Sequence, residues 1–283
     1  MAPDNGSAVT IGAYDGVHIG HRQVIGLVRR RAADRGLRSV VVTFDKNPAA
    51  VVNPASAPPR LTDIELKLEL LAKTGVDQIL LLDFDAERAR EKAEDFVTEV
   101  LVGELSARVV VVGDDFHFGN HRRGNVALLR EMGEEAGFSV EPVHLVSDEW
   151  EHKVVSSTRI RGLIAKGELA EAHALLERPH EVRGLVVEGE GTRAGDPPGP
   201  SDDPADKLPG SLLLEVPGEI LLPPAGEYLG SALAGTGETV AVRIVVFDRV
   251  GHGNQRLEIS GAGAPAQPLA SVGARGAVRV RFG

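Results

Sequence analysis

The run Gly12-Ala13-Tyr14-Asp15-Gly16-Val17-His18-Ile19-Gly20-His21 concentrates the chemistry of this chain. It follows Thr10-Ile11, which reads as a strand end, and leads into a helical pattern. A Gly-rich turn therefore carries two histidines to the mouth of a helix. Residues three apart at a helix start lie about one turn apart and face the same way. Backbone N–H groups, the positive helix end and two imidazoles then surround one spot, which suits a nucleotide polyphosphate. His18 and His21 can donate to phosphate oxygens and stabilise charge developing at phosphorus. Metal binding by the pair is the weaker alternative, because no third ligand lies near in sequence.

Three other segments carry reactive or recognising side chains. Val155-Ser156-Ser157-Thr158-Arg159-Ile160-Arg161 offers hydroxyls at a helix N-cap and a guanidinium one turn in. Ser and Thr caps are common for structural reasons alone, but next to the first motif the hydroxyls and Arg161 suit a phosphate clamp. Gly113-Asp114-Asp115-Phe116-His117-Phe118-Gly119 places acids and aromatics after a strand. The acids suit an amine-bearing ring or Mg²⁺, and the phenylalanines suit stacking on a planar ligand. The plain alternative is an acidic turn with core aromatics. Only 4% of residues are aromatic, so two in one loop favour function. In Phe44-Asp45-Lys46-Asn47-Pro48, Lys46 reads equally as a phosphate contact or a solvated lysine. His117 and His121 read as bystanders, and His144, His152, His173, His180 and His252 as surface or core residues. Trp150 reads as packing or loop, and Arg29-Arg30-Arg31 as the solvated face of a helix.

The elements that must hold these residues alternate. Strands are expected at Ala8–Gly12, Ser39–Phe44, Gln78–Leu82, Arg108–Gly113 and within Phe138–Val146. Helices are expected at Gln23–Arg35, Thr62–Lys73, Ala93–Leu105 and Val126–Ala136. Thr62 and Glu65 form a capping-box pattern. The β-branched runs Val40–Val42 and Val109–Val112 lack alternation, as strands covered on both faces do. This order implies a doubly wound, mostly parallel α/β sheet, in which ligands bind outside the carboxyl ends of the strands. The loops at Gly12, Phe44 and Gly113 all begin where a strand ends. Two helical patterns, Thr158–Lys166 and Leu169–Leu176, close this part. Beyond them, Val182–Val187, Leu212–Val216, Glu219–Leu222, Thr239–Phe247, Arg256–Ile259 and Ala277–Phe282 read as short strands of a small antiparallel barrel or sandwich. Ala194–Gly210, crowded with Pro, Gly, Ser and Asp, reads as an extended loop.

Composition narrows the class. A net charge of −10 argues against nucleic acid as the main partner. The absence of cysteine excludes a disulfide scaffold and thiolate chemistry. No signal-peptide pattern and no apolar run of about 20 residues is present, so a cytoplasmic protein without a membrane span is expected. A homo-oligomer remains open.

At these motifs the chain resembles the adenylyltransferase module of prokaryotic bifunctional riboflavin kinase/FAD synthetases. The resemblance covers most of residues 8–180 and implies a Rossmann-like nucleotidyltransferase domain over 1–180, followed by a riboflavin-kinase-like β-barrel over 181–283. It implies ATP and FMN as substrates, Mg²⁺ as cofactor, and FAD and pyrophosphate as products. By the same resemblance, His18, His21 and Arg161 support the transition state. Gly12, Tyr14, Asp15, Gly16 and Gly20, with Ser156, Ser157 and Thr158, bind ATP. Asn47, Pro48, Asp115, Phe116 and Phe118 border the flavin. The family usually has His where Asn47 stands, and Phe where Tyr14 stands. Arg178-Pro179 and Val182–Val187 resemble the entry to the kinase barrel, and Leu221–Tyr228 its central hairpin. The family's Gly-Phe-Pro-Thr-Ala-Asn loop is missing; Thr192–Pro204 stands in its place. Glu215 and Glu227 lack the setting of a kinase base. The expectation is an adenylyltransferase with an inactive kinase barrel. A flavin analogue or another phosphorylated acceptor is the nearest alternative, and a non-catalytic flavin or nucleotide binder the next.

Overall fold

A computed structural model describes residues 5–144, 155–187, 211–233, 239–249, 253–262 and 277–283. Ala194–Gly210, Thr192–Pro204, Trp150, His152 and His252 lie outside them. The chain divides into two compact units, one of residues 1–58 and 64–157, the other of residues 59–63 and 158–283. The division thus falls after Ser157, ahead of the change in sequence character at residue 180, and the second unit also takes five residues from the first half of the chain.

The first unit runs β1 (Ser7–Ile11), α1 (Ile19–Arg35), β2 (Arg38–Phe44), α2 (Pro48–Val52), α3 (Ile64–Ala72), β3 (Gln78–Leu82), α4 (Ala93–Phe96), β4 (Ala107–Gly113), β5 (His117–Phe118), β6 (Gly124–Asn125), α5 (Val126–Ala136) and β7 (Ser139–Val143). Five strands form one sheet in the order β3-β2-β1-β4-β7, and each neighbouring pair is parallel. The direction of winding reverses between β1 and β4. That switch point is where open α/β sheets bind ligands.

The valine runs are explained by cover on both faces. Val41, Val109 and Val111 pack with residues of α1 and α3, whereas Val40, Val42, Val110 and Val112 pack with the helices on the opposite face. Successive side chains point to opposite faces, so every position must be apolar. Burying each such side chain contributes about 1.5–3 kcal/mol.

Three departures from the sequence reading occur here. Helix α1 begins at Ile19 rather than Gln23, which makes His18 its N-cap. The helix expected at Ala93–Leu105 is α4 running on as a π-helix, Val97–Glu104. Its wider turns keep Val97, Val100, Leu101 and Leu105 all in the core. A small hairpin, β5 with β6, follows β4 and was not foreseen, because two-residue strands leave no periodicity to read.

In the second unit, α6 (Ser157–Ala165) continues from the last residue of the first, and α7 (Leu169–Leu176) follows. Then come β8 (Glu181–Val186), β9 (Leu212–Val216), β10 (Gly226–Leu233), β11 (Thr239–Val246), β12 (Gln255–Gly261) and β13 (Ala277–Phe282). They form a closed barrel in the order β10-β11-β12-β9-β8-β13, antiparallel throughout. Alternate residues, among them Val242, Ile244, Leu257, Ile259, Val278 and Val280, are fully buried.

Glu219–Leu222 is not a strand. Ile220 alone makes a bridge, to Arg60, since Pro217 and Pro223-Pro224 remove the donors a ladder needs. The strand lies just beyond, in β10, whose glycines hide it. A Cβ at Gly230 would fall 2.0 Å from the Arg281 carbonyl, so β13 can approach only glycine there. Residues 59–63 join this unit through Arg60 N–H to Glu219 C=O at 2.6 Å and Leu221 N–H to Arg60 C=O at 2.8 Å. Among the described residues, no helix is long and apolar enough to cross a membrane.

Candidate nucleotide site

The turn between β1 and α1 is held in an unusual backbone. Tyr14 (φ 51), Gly16 (φ 82) and Val17 (φ 41) all have positive φ. For a β-branched residue this is a genuine outlier, and each such residue costs on the order of 1–3 kcal/mol. Packing offsets the strain: Val17 is wholly buried, and the Tyr14 ring packs with Ile25, Val41 and Leu71. The Tyr14 hydroxyl shares a hydrogen bond of 2.7 Å with Thr10 Oγ1. Burial pushes this hydroxyl well above the usual tyrosine range, and the Thr10 bond only partly opposes that.

The strained turn sets the histidines. His18 is 2% exposed, and its Nδ1 accepts the His21 N–H at 3.4 Å. The two imidazoles stack with centroids 3.6 Å apart and planes inclined by 20°. The edge of the Tyr14–His21 pair closes the stack, at 5.0 Å and 69°. Gly20 is the tight point beneath it. A Cβ there would lie 3.3 Å from His18 Cε1 and Nδ1, and 3.4 Å from the Val155 carbonyl. Gly12 donates its N–H to Val42 C=O at 3.1 Å, tying the turn to the end of β2.

The second motif reaches the first within the same unit. Ser157 Oγ donates to the Asp15 carbonyl at 2.9 Å, across 142 residues of sequence. Asp15 is itself buried. Ser156 stands beside Ser157 in this unit, whereas Thr158 and Arg161 belong to the second. There the Arg161 Nε donates to Pro59 C=O at 2.7 Å.

Because β1, β2 and β4 are parallel, the loops after all three leave one edge of the sheet. After β2, Asn47 caps α2, accepting the Ala49 N–H at 3.1 Å, and Pro48 is the first helical residue. Asp45 Oδ1 accepts the N–H groups of Lys46 and Phe84, both at 2.7 Å, so it shapes the loop. After β4, Phe116 and Phe118 stack at 5.4 Å with planes 15° apart, both partly buried against the core. Asp115 is exposed, and the Asp114 carboxylate contacts His144 Nδ1. The aromatics thus pack on the core while Asp115 faces solvent, the arrangement of the plain alternative, an acidic turn with core aromatics.

One buried charge here escaped the sequence reading. Lys67, on α3, is 7% exposed, and its Nζ donates to Ala13 C=O at 3.3 Å and Phe44 C=O at 2.6 Å. A signal was available: Lys67 lies one turn before Leu71, inside the stripe Leu66, Leu70, Leu71, where a solvated lysine does not belong.

A Rossmann-like sheet that delivers paired imidazoles to a helix N-terminus at its switch point is an α/β arrangement suited to phosphate groups. Comparison with known proteins narrows this. The chain belongs to the FAD synthetase family, whose model matches residues 1–159. It is 36% identical over 190 residues to the bifunctional riboflavin kinase/FMN adenylyltransferase of Escherichia coli K12, covering 67% of this chain and 60% of that protein. Proteins of the same description are 37% identical over 185 residues in Pseudomonas fluorescens, covering 65% of this chain and 58% of the relative, and 32% identical over 187 residues in Buchnera aphidicola of Schizaphis graminum, covering 66% and 59%. The match therefore spans about three fifths of these relatives' length. A solved structure described as a macrolide-efflux protein from Streptococcus pneumoniae superposes with a TM-score of 0.76 at 24% identity, covering 98% of this chain and 84% of its own. At that identity the likeness concerns the fold alone.

Proposed function

We propose that the protein is an FMN adenylyltransferase, transferring AMP from ATP to FMN with release of pyrophosphate. The observation that carries this reading is the stacked His18–His21 pair at the N-terminus of α1, in a chain of the FAD synthetase family. The FMN phosphate attacks the α-phosphorus of ATP in line. Catalysis is then mostly positioning and charge stabilisation. His18 and His21 meet the α-phosphate and the leaving pyrophosphate. Gly12, Tyr14, Asp15, Gly16 and Gly20 shape the nucleotide side, with Ser156, Ser157 and Thr158. Arg161 binds phosphate. Asn47, Pro48, Asp115, Phe116 and Phe118 border the isoalloxazine side.

Mg²⁺ enters with the nucleotide. Among the described residues, no group of three or more His, Asp or Glu side chains could hold a metal ion. Mg²⁺ generally takes its ligands from substrate phosphates, water and one or two carboxylates, and no step above is routed through it.

Residues 1–180 carry the transferase in this reading, and 181–283 a riboflavin-kinase-like barrel without kinase activity, since the Gly-Phe-Pro-Thr-Ala-Asn sequence is absent. The working partners are small molecules in the cytoplasm, not nucleic acid or membrane. A second acceptor, a flavin analogue, is favoured by one observation: Asn47 spends its side-chain oxygen on capping α2. Purified protein incubated with ATP and Mg²⁺ plus FMN or riboflavin, with chromatography of the flavins, tests the whole reading. FAD from FMN alone is expected. FMN formed from riboflavin would refute loss of the kinase, and no FAD from FMN would refute the transferase.

A further inference from the structure

We propose that Lys67 is a positioning residue that fixes the nucleotide-side loop and the acceptor-side loop to one another. This rests on the adenylyltransferase reading, which assigns those loops to ATP and FMN.

Lys67 is the buried charge of α3, and a buried ammonium persists only where it is fully engaged. Two carbonyls that it bonds lie where different loops begin. Ala13 immediately precedes Tyr14, the first left-handed residue of the strained turn, and Phe44 ends β2 just before Asp45-Lys46-Asn47. Thr43 Oγ1 donates to the same Ala13 carbonyl at 3.3 Å. The ammonium and the Thr43 hydroxyl therefore hold the peptide whose twist seats Tyr14, and Tyr14 in turn backs His21. On the other side the ammonium holds the peptide from which the Asn47 loop departs. Two reactants bound on separate loops meet in line only if the loops keep their register. A misplacement on the order of 1 Å costs about 10²-fold in rate. Charge-assisted bonds from one rigidly placed nitrogen supply that register directly.

The effect expected is on turnover with both substrates bound, not on either binding event alone. In the full chain, Lys67→Met removes the donors and keeps an aliphatic stem. Lys67→Gln keeps an N–H donor without the charge. Melting temperature, kcat for FAD formation, and the Kd of ATP measured calorimetrically without FMN are compared with wild type. We expect Lys67→Met to lose about 10²-fold in kcat with ATP Kd within about threefold, and Lys67→Gln to recover part of the loss. A lysine that merely fills the core would give no such split and no rescue by a donor. Folded Lys67→Met with near-wild-type kcat, or Lys67→Gln no better than Lys67→Met, overturns the proposal. Should Lys67→Met not fold, Lys67→Gln decides alone: kcat lowered at unchanged ATP Kd supports the role, and both unchanged overturns it. Wild-type protein that makes no FAD refutes the underlying reading, an outcome distinct from active wild type with an equally active Lys67→Met.

Discussion

Gly20→Ala should separate stability from catalysis in a single methyl group. Gly20 is the second residue of α1, where glycine costs roughly 0.5–1 kcal/mol relative to alanine. The helix therefore gains from the substitution. The added Cβ, however, meets the His18 ring at 3.3 Å and the Val155 carbonyl at 3.4 Å. One neighbour must give by a few tenths of an ångström. His18 cannot give freely, since it is buried, stacked on His21 and bonded to the His21 N–H. Its movement disturbs the imidazole pair, and a displacement approaching 1 Å would cost about 10²-fold. We expect a melting temperature unchanged or up by about 2–4 °C, with kcat for FAD formation down by about 10- to 10²-fold. Calorimetry and a pyrophosphate-release assay on the same preparation measure both. Wild-type kcat in Gly20→Ala would show that the pair is not held as tightly as the geometry requires, and a melting temperature several degrees lower would show that the contact with His18 outweighs the gain in the helix.

Other outcomes follow from the same geometry. His18→Ala and His21→Ala should each lower kcat by about 10²-fold while leaving the circular dichroism spectrum unchanged; near-normal turnover in both removes them from the mechanism. Tyr14→Phe loses the Thr10 bond, so a drop of about 1 kcal/mol is expected in urea titrations at pH 8. Because burial keeps the Tyr14 hydroxyl neutral in the folded state, its stabilisation is complete below about pH 10, where the unfolded chain begins to ionise, and is lost as pH rises further. The gap between wild type and Tyr14→Phe should therefore narrow by pH 11, and a constant gap would contradict the burial argument. Asn47→Ala should fray α2, at a cost of about 1 kcal/mol, and raise KM for FMN more than KM for ATP; equal changes in both would detach α2 from the acceptor side.

The legible parts of this protein are those where residue type and local pattern carry the same information. Val40–Val42 and Val109–Val112 announce strands covered on both faces, and the sheet has that cover. Gly12–His21 announces a turn into a helix because its glycines and histidines have few other uses in that order. What was not legible depended on partners distant in sequence. The place of Lys67 in the apolar stripe of α3 hints at burial, but its task appears only when Ala13 and Phe44 are placed around its ammonium. Tyr14 reads as a loop aromatic beside a ligand, yet its ring is buried behind His21 because the turn's positive φ values direct it inward. Strand β10 was obscured by Gly230, whose identity answers to the Arg281 carbonyl rather than to strand propensity. The continuation of α4 as a π-helix has no signature in its own sequence, which reads as an ordinary amphipathic helix.

The bond from Ser157 to Asp15 has a consequence in time as well as space. A growing chain exposes residues 12–21 early, but the hydroxyl that donates to the Asp15 carbonyl arrives 142 residues later. Closing so long a loop is entropically slow. The turn that carries His18 and His21 is therefore among the last parts of the first unit to mature, after the strands that flank it have emerged. A nascent chain released before Ser157 would have the motif in full and lack its anchor. Completion of the site thereby reports completion of the unit that carries it.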